Sequence, residues 1–106
     1  MRIVIVGASG TMGKHLRGAF EKEHEVITAA STGCDLEVDI TSTESIENMY
    51  RQAGTFDALI STAGPTFVGP WKKLKDKEFR QGVEGKMMGQ INLVLIGQYY
   101  ISPKGS

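Results

Sequence analysis

Near the start of the chain, Ile3-Val4-Ile5-Val6 runs into Gly7-Ala8-Ser9-Gly10-Thr11-Met12-Gly13 and then into a stretch with helical periodicity. Few folds accommodate that succession. A continuous β-branched run without polar alternation is the pattern of a strand buried on both faces, as in a parallel sheet covered by helices. Beyond the glycines, Met12, Leu16, Ala19 and Phe20 share one face while Lys14, Arg17 and Glu21 lie off it, which predicts a helix over 11–23. A G-x-x-G-x-x-G loop between a buried strand and a helix has a physical use. Free N–H groups and the dipole at a helix N-terminus attract a diphosphate, and glycine lets the backbone approach it. Gly7 would make the turn, Gly10 would face the pyrophosphate, and Gly13 would let the helix pack close to the strand. The spacing departs from G-x-G-x-x-G, and a purely structural strand-to-helix turn is the alternative.

The rest of the chain repeats the alternation. Residues 25–30 read as a second short strand, 31–35 as a loop, and 36–40 as a more exposed third strand in which apolar and acidic residues alternate. Thr43 can cap a second helix over 45–53, with Ile46, Met49, Tyr50 and Ala53 on one face and Gly54 ending it. Residues 56–61 form another buried strand, and Pro65, Gly69 and Pro70 mark a loop. A long helix is predicted over 77–100, striped by Phe79, Val83, Met87, Ile91 and Leu95. Its unbroken apolar run from Leu93 to Ile96 predicts burial on more than one side. Gly82, Gly85, Gly89 and Gly97 weaken such a helix by about 1 kcal/mol each relative to alanine, which predicts close packing against another backbone. Strands alternating with helical crossovers specify a right-handed parallel α/β sheet.

Composition narrows the function. A chain of 106 residues suffices for one domain and is too short for two. Twelve Lys and Arg against twelve Asp and Glu give zero formal charge, which removes the electrostatic footprint of a nucleic-acid binder. Cys34 is the single cysteine, so no internal disulfide can form, and no Cys or His cluster has zinc-site spacing. The four-residue apolar run at the N-terminus is too short for a signal-peptide core or a membrane span. A cytoplasmic protein without membrane partners is expected.

Three segments in order carry a family resemblance. The loop from Gly7 to Gly13 is similar to the cofactor loop of atypical and extended short-chain dehydrogenases/reductases. Val38-Asp39-Ile40-Thr41 resembles the segment after that family's third strand, where the Asp sits by the adenine ring. Ser61-Thr62-Ala63-Gly64 resembles its N-N-A-G motif with both Asn residues replaced. The resemblance implies a Rossmann-like parallel sheet with helices on both faces. It implies an NAD(P) cofactor held by Gly7, Ser9, Gly10, Thr11, Met12, Gly13, Asp39, Ile40, Thr62, Ala63 and Gly64. Asp39 read alone could equally be a turn-forming carboxylate, and Ala63-Gly64 a simple strand exit. At the end of the second strand, where an acid usually selects NAD, stand Ala30, Ser31 and Thr32. Ser31, Thr32 and Lys14 could receive a 2′-phosphate, so NADP is expected over NAD, with Asp35 the acid that a different loop path could bring to the ribose.

The same resemblance implies hydride transfer between nicotinamide and a carbonyl or alcohol substrate, which needs a proton donor at the reacting oxygen. The family supplies Ser and a Y-x-x-x-K pair. Tyr100 and Lys104 have that spacing, but Pro103 opposes the helix the pair requires, and no Ser occurs between Thr62 and Ile101. The expectation is a chain that ends before the catalytic half. At the family's helix Asn position stands Lys86, which is either functional or an ordinary solvated lysine. A non-catalytic nucleotide-sensing module or a structural Rossmann module is the alternative. With neighbours missing from the long helix, its apolar stripe predicts a homo-oligomer or a marginally stable chain.

Overall fold

A computed structural model describes residues 1–63 and 70–106. Four strands, β1 (Arg2–Val6), β2 (Glu25–Ala30), β3 (Leu36–Glu37) and β4 (Ala58–Ser61), form one parallel sheet in the order β3-β2-β1-β4. Ile3 of the central strand pairs with Val26 on one side and Ala58 on the other. The helices are α1 (Thr11–Phe20), α2 (Thr43–Ala53), α3 (Asp76–Gly82) and α4 (Met88–Gly97).

The β-branched run of β1 serves both faces because successive side chains point to opposite sides. Ile3 and Ile5 pack with Ala8, Leu16 and Phe20 on the α1 side. Val4 and Val6 join Ile46, Met49, Tyr50 and Leu93 beneath α2 and α4. Helices therefore cover both faces, and Val4, Ile5 and Val6 are inaccessible to solvent. Within α1 only part of the expected apolar face reaches the sheet. Leu16 and Phe20 do, whereas Met12 is exposed, and the helix ends at Phe20 rather than near residue 23.

The third strand is shorter than its 36–40 pattern predicts. After Glu37 only one further ladder bond forms, Val38 N–H to the Ala30 carbonyl. Asp39 then turns the chain by accepting the Thr41 N–H at 3.0 Å. The cap of α2 is Ser42, not Thr43: the Ser42 hydroxyl accepts the Ser45 N–H at 3.2 Å, and Thr43 is the first helical residue.

The predicted 77–100 helix is two α-helices joined by a wider π turn, Val83–Met87, in which the Met88 N–H reaches back to the Val83 carbonyl. It ends at Gly97. Against the expected close approach of another backbone, Gly89 and Gly97 admit side chains, and Gly82 faces open space. A Cβ on Gly89 would lie 2.6 Å from Ile40 Cδ1, and one on Gly97 would lie 2.7 Å from the Tyr50 hydroxyl. The Tyr50 O–H, buried between stacked Phe56 and Tyr100 rings, donates to the Leu93 carbonyl at 2.7 Å. Only one side of α4 is covered by these contacts. Leu93 is buried, but Val94 and Leu95 are 65% and 52% exposed, against the expectation of burial on more than one side.

Beyond α4 the chain returns along the outer edge of β4. Ser102 N–H donates to the Phe56 carbonyl, Ser106 N–H to the Asp57 carbonyl, and Leu59 N–H to the Ser106 carbonyl. Phe56, expected within the fourth strand, instead bridges Ile101 in parallel.

Candidate functional site

A cleft of about 470 Å³ opens where β1, β2 and β4 end. Its walls come from the ends of four strands: Val6, Gly7, Ser9 and Gly10 at the end of β1; Ala30 and Ser31 at the end of β2; Val38 to Thr41 beyond β3; and Thr62 and Ala63 after β4. Open parallel sheets bind ligands at this edge, in the crevice outside the carboxyl ends of the strands.

The glycines divide the work. Gly7 has φ +89°, a conformation that side chains disfavour, and a Cβ there would press 2.7 Å from the Ala63 amide nitrogen. A Cβ on Gly13 would strike the turn itself, 2.5 Å from the Ala8 Cα, so the close approach of α1 to β1 depends on it. Around Gly10 the nearest atom to such a Cβ is the Gly7 carbonyl oxygen at 3.4 Å, which leaves the position open toward the cleft. The helix that Gly10 begins has no side-chain cap and no acid in its first turn. Lys14 supplies its first backbone bond, to the Gly10 carbonyl, so the amides of Thr11, Met12 and Gly13 precede the helical ladder.

Thr62 closes the opposite wall. Its N–H donates to the Val6 carbonyl at 2.9 Å and its hydroxyl to the Gly7 carbonyl at 3.3 Å, joining the end of β4 to the glycine turn. The Gln90 side-chain amide donates to the Ala63 carbonyl and ties α4 to the same wall. Asp39 lines the cleft while also forming its turn. One carboxylate oxygen accepts from both the Thr41 N–H and hydroxyl, and these bonds hold its carboxyl below the usual aspartate range.

Of the residues picked out by the sequence, Gly7, Ser9, Gly10, Ser31, Asp39, Ile40, Thr62 and Ala63 meet at this cleft. Thr11, Met12 and Gly13 stand behind it in the first turn of α1, Thr32 is exposed outside it, and Gly64 lies outside the described residues. Lys14 is exposed on α1 and Lys86 on the π turn, and neither lines the cleft. Val6, Ala30, Val38 and Thr41 also line it, although none was expected as a cofactor contact. Each adjoins a residue that was, and the strand-end rule applied to every strand would have found the first two. Nothing in the sequence marks Gln90, which reaches Ala63 only through the path of α4.

Tyr100 and Lys104 do not stand one turn apart on a helix. Tyr100 stacks on Tyr50 and gives its O–H to Glu47, which raises its pKa, and Lys104 lies in a turn past Pro103. Among the described residues, no group of His, Cys, Asp and Glu side chains could hold a metal ion.

An open parallel sheet with helices on both faces and a glycine-rich loop at its ligand edge defines a Rossmann-like α/β protein. Solved structures narrow the class. The protein lin1944 from Listeria innocua matches 99% of this chain at 41% identity and a TM-score of 0.94, over 52% of its own length. A small-chain dehydrogenase matches 99% of the chain at 25% identity and a TM-score of 0.86, over 53% of its length. A small-chain dehydrogenase in complex with NADPH matches 99% at 25% identity and a TM-score of 0.85, over 48% of its length. No protein-family profile and no curated protein matches the chain. The chain spans about half the length of these structures and has the fold of the N-terminal part of a short-chain dehydrogenase/reductase.

Proposed function

We propose that this chain is the NAD(P)-binding part of an oxidoreductase that moves hydride between nicotinamide and a carbonyl or alcohol substrate. The observation that carries the reading is the open position at Gly10, beside an uncapped helix start and within the cleft. The diphosphate would lie against Gly7, Ser9, Gly10 and the first amides of α1, backed by the close packing at Gly13. Asp39 and Ile40 would border the adenine, Ser31 the ribose, and Thr62, Ala63 and Gly64 the nicotinamide side. NADP is the proposed cofactor over NAD, because Ser31 rather than a carboxylate ends the β2 wall. The bound cofactor supplies the hydride. The cleft residues of this chain supply binding and orientation, since their side chains include hydroxyls and one carboxylate but no Tyr, Lys or His.

The exposed face of α3 and α4, carrying Phe79, Val83, Met87, Ile91 and Leu95, is proposed to pack on a second copy of the chain. A formal net charge of zero gives two copies no long-range repulsion to overcome. No helix among the described residues is long and apolar enough to cross a membrane, and a cytoplasmic location is proposed.

NADPH titration followed by calorimetry tests the reading. The wild-type chain is expected to bind saturably. Gly10→Leu is expected to weaken binding by about tenfold or more while leaving thermal stability nearly unchanged, since its side chain enters the space meant for phosphate. Absence of binding by the wild type, or unchanged affinity in Gly10→Leu, refutes it.

A further inference from the structure

One stretch of the cleft wall is held by a distant side chain rather than by the sheet. The pairing of β1 with β4 closes with the Thr62 N–H on the Val6 carbonyl, so the ladder does not orient Ala63, the next residue along the wall. The Ala63 carbonyl instead accepts the side-chain amide of the partly buried Gln90, 27 residues on. That amide projects from a braced stretch of α4. One residue before it, Gly89 packs so closely on Ile40 that a Cβ would lie 2.6 Å from Ile40 Cδ1, and Ile40 itself lines the cleft beyond β3. One turn after Gly89, the Leu93 carbonyl accepts the buried Tyr50 hydroxyl at 2.7 Å. A hydrogen bond from an element fixed in this way orients its partner.

We infer that Gln90 is a positioning residue for the nicotinamide half of the dinucleotide: its amide holds in place the Ala63 wall against which that half lies. The inference rests on the proposal that the cleft takes NADP. Gln90 does not itself line the cleft, so it acts on the ligand through Ala63. A wall residue left free would have to be ordered as the ligand binds, and that ordering costs affinity. The adenine half lies by Ser31, Asp39 and Ile40, away from the stretch that Gln90 holds. The two halves of the ligand therefore respond differently to loss of the amide.

Calorimetric affinities for NADP⁺ and for adenosine 2′,5′-bisphosphate, its adenine half, test this in wild type and two variants. Gln90→Glu keeps the shape of the side chain and loses the donor, whereas Gln90→Lys keeps a donor and changes the shape. The charge each variant introduces acts on the phosphates of both ligands, so the readout is the ratio of the two affinities. In Gln90→Glu the ratio of NADP⁺ to bisphosphate affinity should fall about fivefold, a loss within the range of one hydrogen bond. In Gln90→Lys it should stay within about twofold of wild type. A role in packing alone predicts the reverse order, because Glu fills the place of Gln and Lys does not. An unchanged ratio in Gln90→Glu, or a fall in Gln90→Lys as large as that in Gln90→Glu, overturns the inference. So does a wild type that binds the bisphosphate as tightly as NADP⁺. Should Gln90→Lys fail to fold, the Gln90→Glu ratio still decides between donor and packing. A wild type that binds neither ligand refutes the cofactor reading itself, whereas one that binds both with a ratio insensitive to Gln90→Glu refutes only the role of Gln90.

Discussion

At the scale of single residues, Asp57 is the busiest polar junction outside the cleft. Its carboxylate accepts the Arg2 N–H at 2.8 Å and the Ser102 hydroxyl at 2.9 Å, so one side chain fastens β1 and the returning C-terminal segment to the start of β4. These bonds favour the charged form and hold its pKa below the usual aspartate value. A depressed folded-state pKa contributes stability that is fully present above the unfolded value, near ~3.9, and is lost as pH falls through the lowered folded value. Urea midpoints of wild type should therefore drop between about pH 5 and about pH 2, and Asp57→Asn should be less stable at neutral pH with a shallower acid decline. An equal decline in both proteins would show that other carboxylates govern it, Asp39 first among them because its pKa is lowered too. None of this could be read from the sequence. In sequence Asp57 stands between Phe56 and Ala58, and its partners lie 55 and 45 residues away in the chain.

At the scale of elements, legibility followed locality. The first strand, its glycine loop and the helix after it were readable because their pattern is dictated by neighbours in sequence. The short β3 was not, because the Asp39–Thr41 turn competes with an alternation that would otherwise continue the strand. The π turn was hidden for a related reason: Phe79, Val83, Met87, Ile91 and Leu95 keep i+4 spacing straight through it. Ser42 and Thr43 are neighbours with the same capping chemistry, and only geometry separates them. Ser42→Ala should lower unfolding free energy by about 1 kcal/mol, whereas Thr43→Ala should change it by less than about 0.5 kcal/mol. Urea denaturation of the two variants checks this, and the reverse order would move the cap back to Thr43.

At the scale of the whole molecule, an exposed apolar stripe runs along α3, the π turn and α4. The sequence displayed that stripe, and the structure leaves Phe79, Val83, Met87, Ile91 and Leu95 all at least 42% exposed. Sedimentation equilibrium should find a dimer, and Leu95→Glu should raise its dissociation constant by at least about thirtyfold, the loss expected at a central apolar contact. A wild-type chain that remains monomeric at high concentration contradicts this. The position of β1 between β2 and β4 also orders events in time. Closing the chain from Ile3 to Val26 forms a loop less than half as long as closing it from Ile3 to Ala58, and the longer closure costs roughly 0.8 kcal/mol more in entropy. Folding is thus biased to begin with β1, α1 and β2, with β4 arriving afterwards. The two sides of the cleft belong to those two stages: the glycine turn and Ser31 are in place early, while Thr62 and Ala63 arrive with the last strand. Binding competence, on this kinetic view, is a late acquisition of the folding chain, and a ligand that bridges both sides would trap the completed sheet rather than guide its assembly.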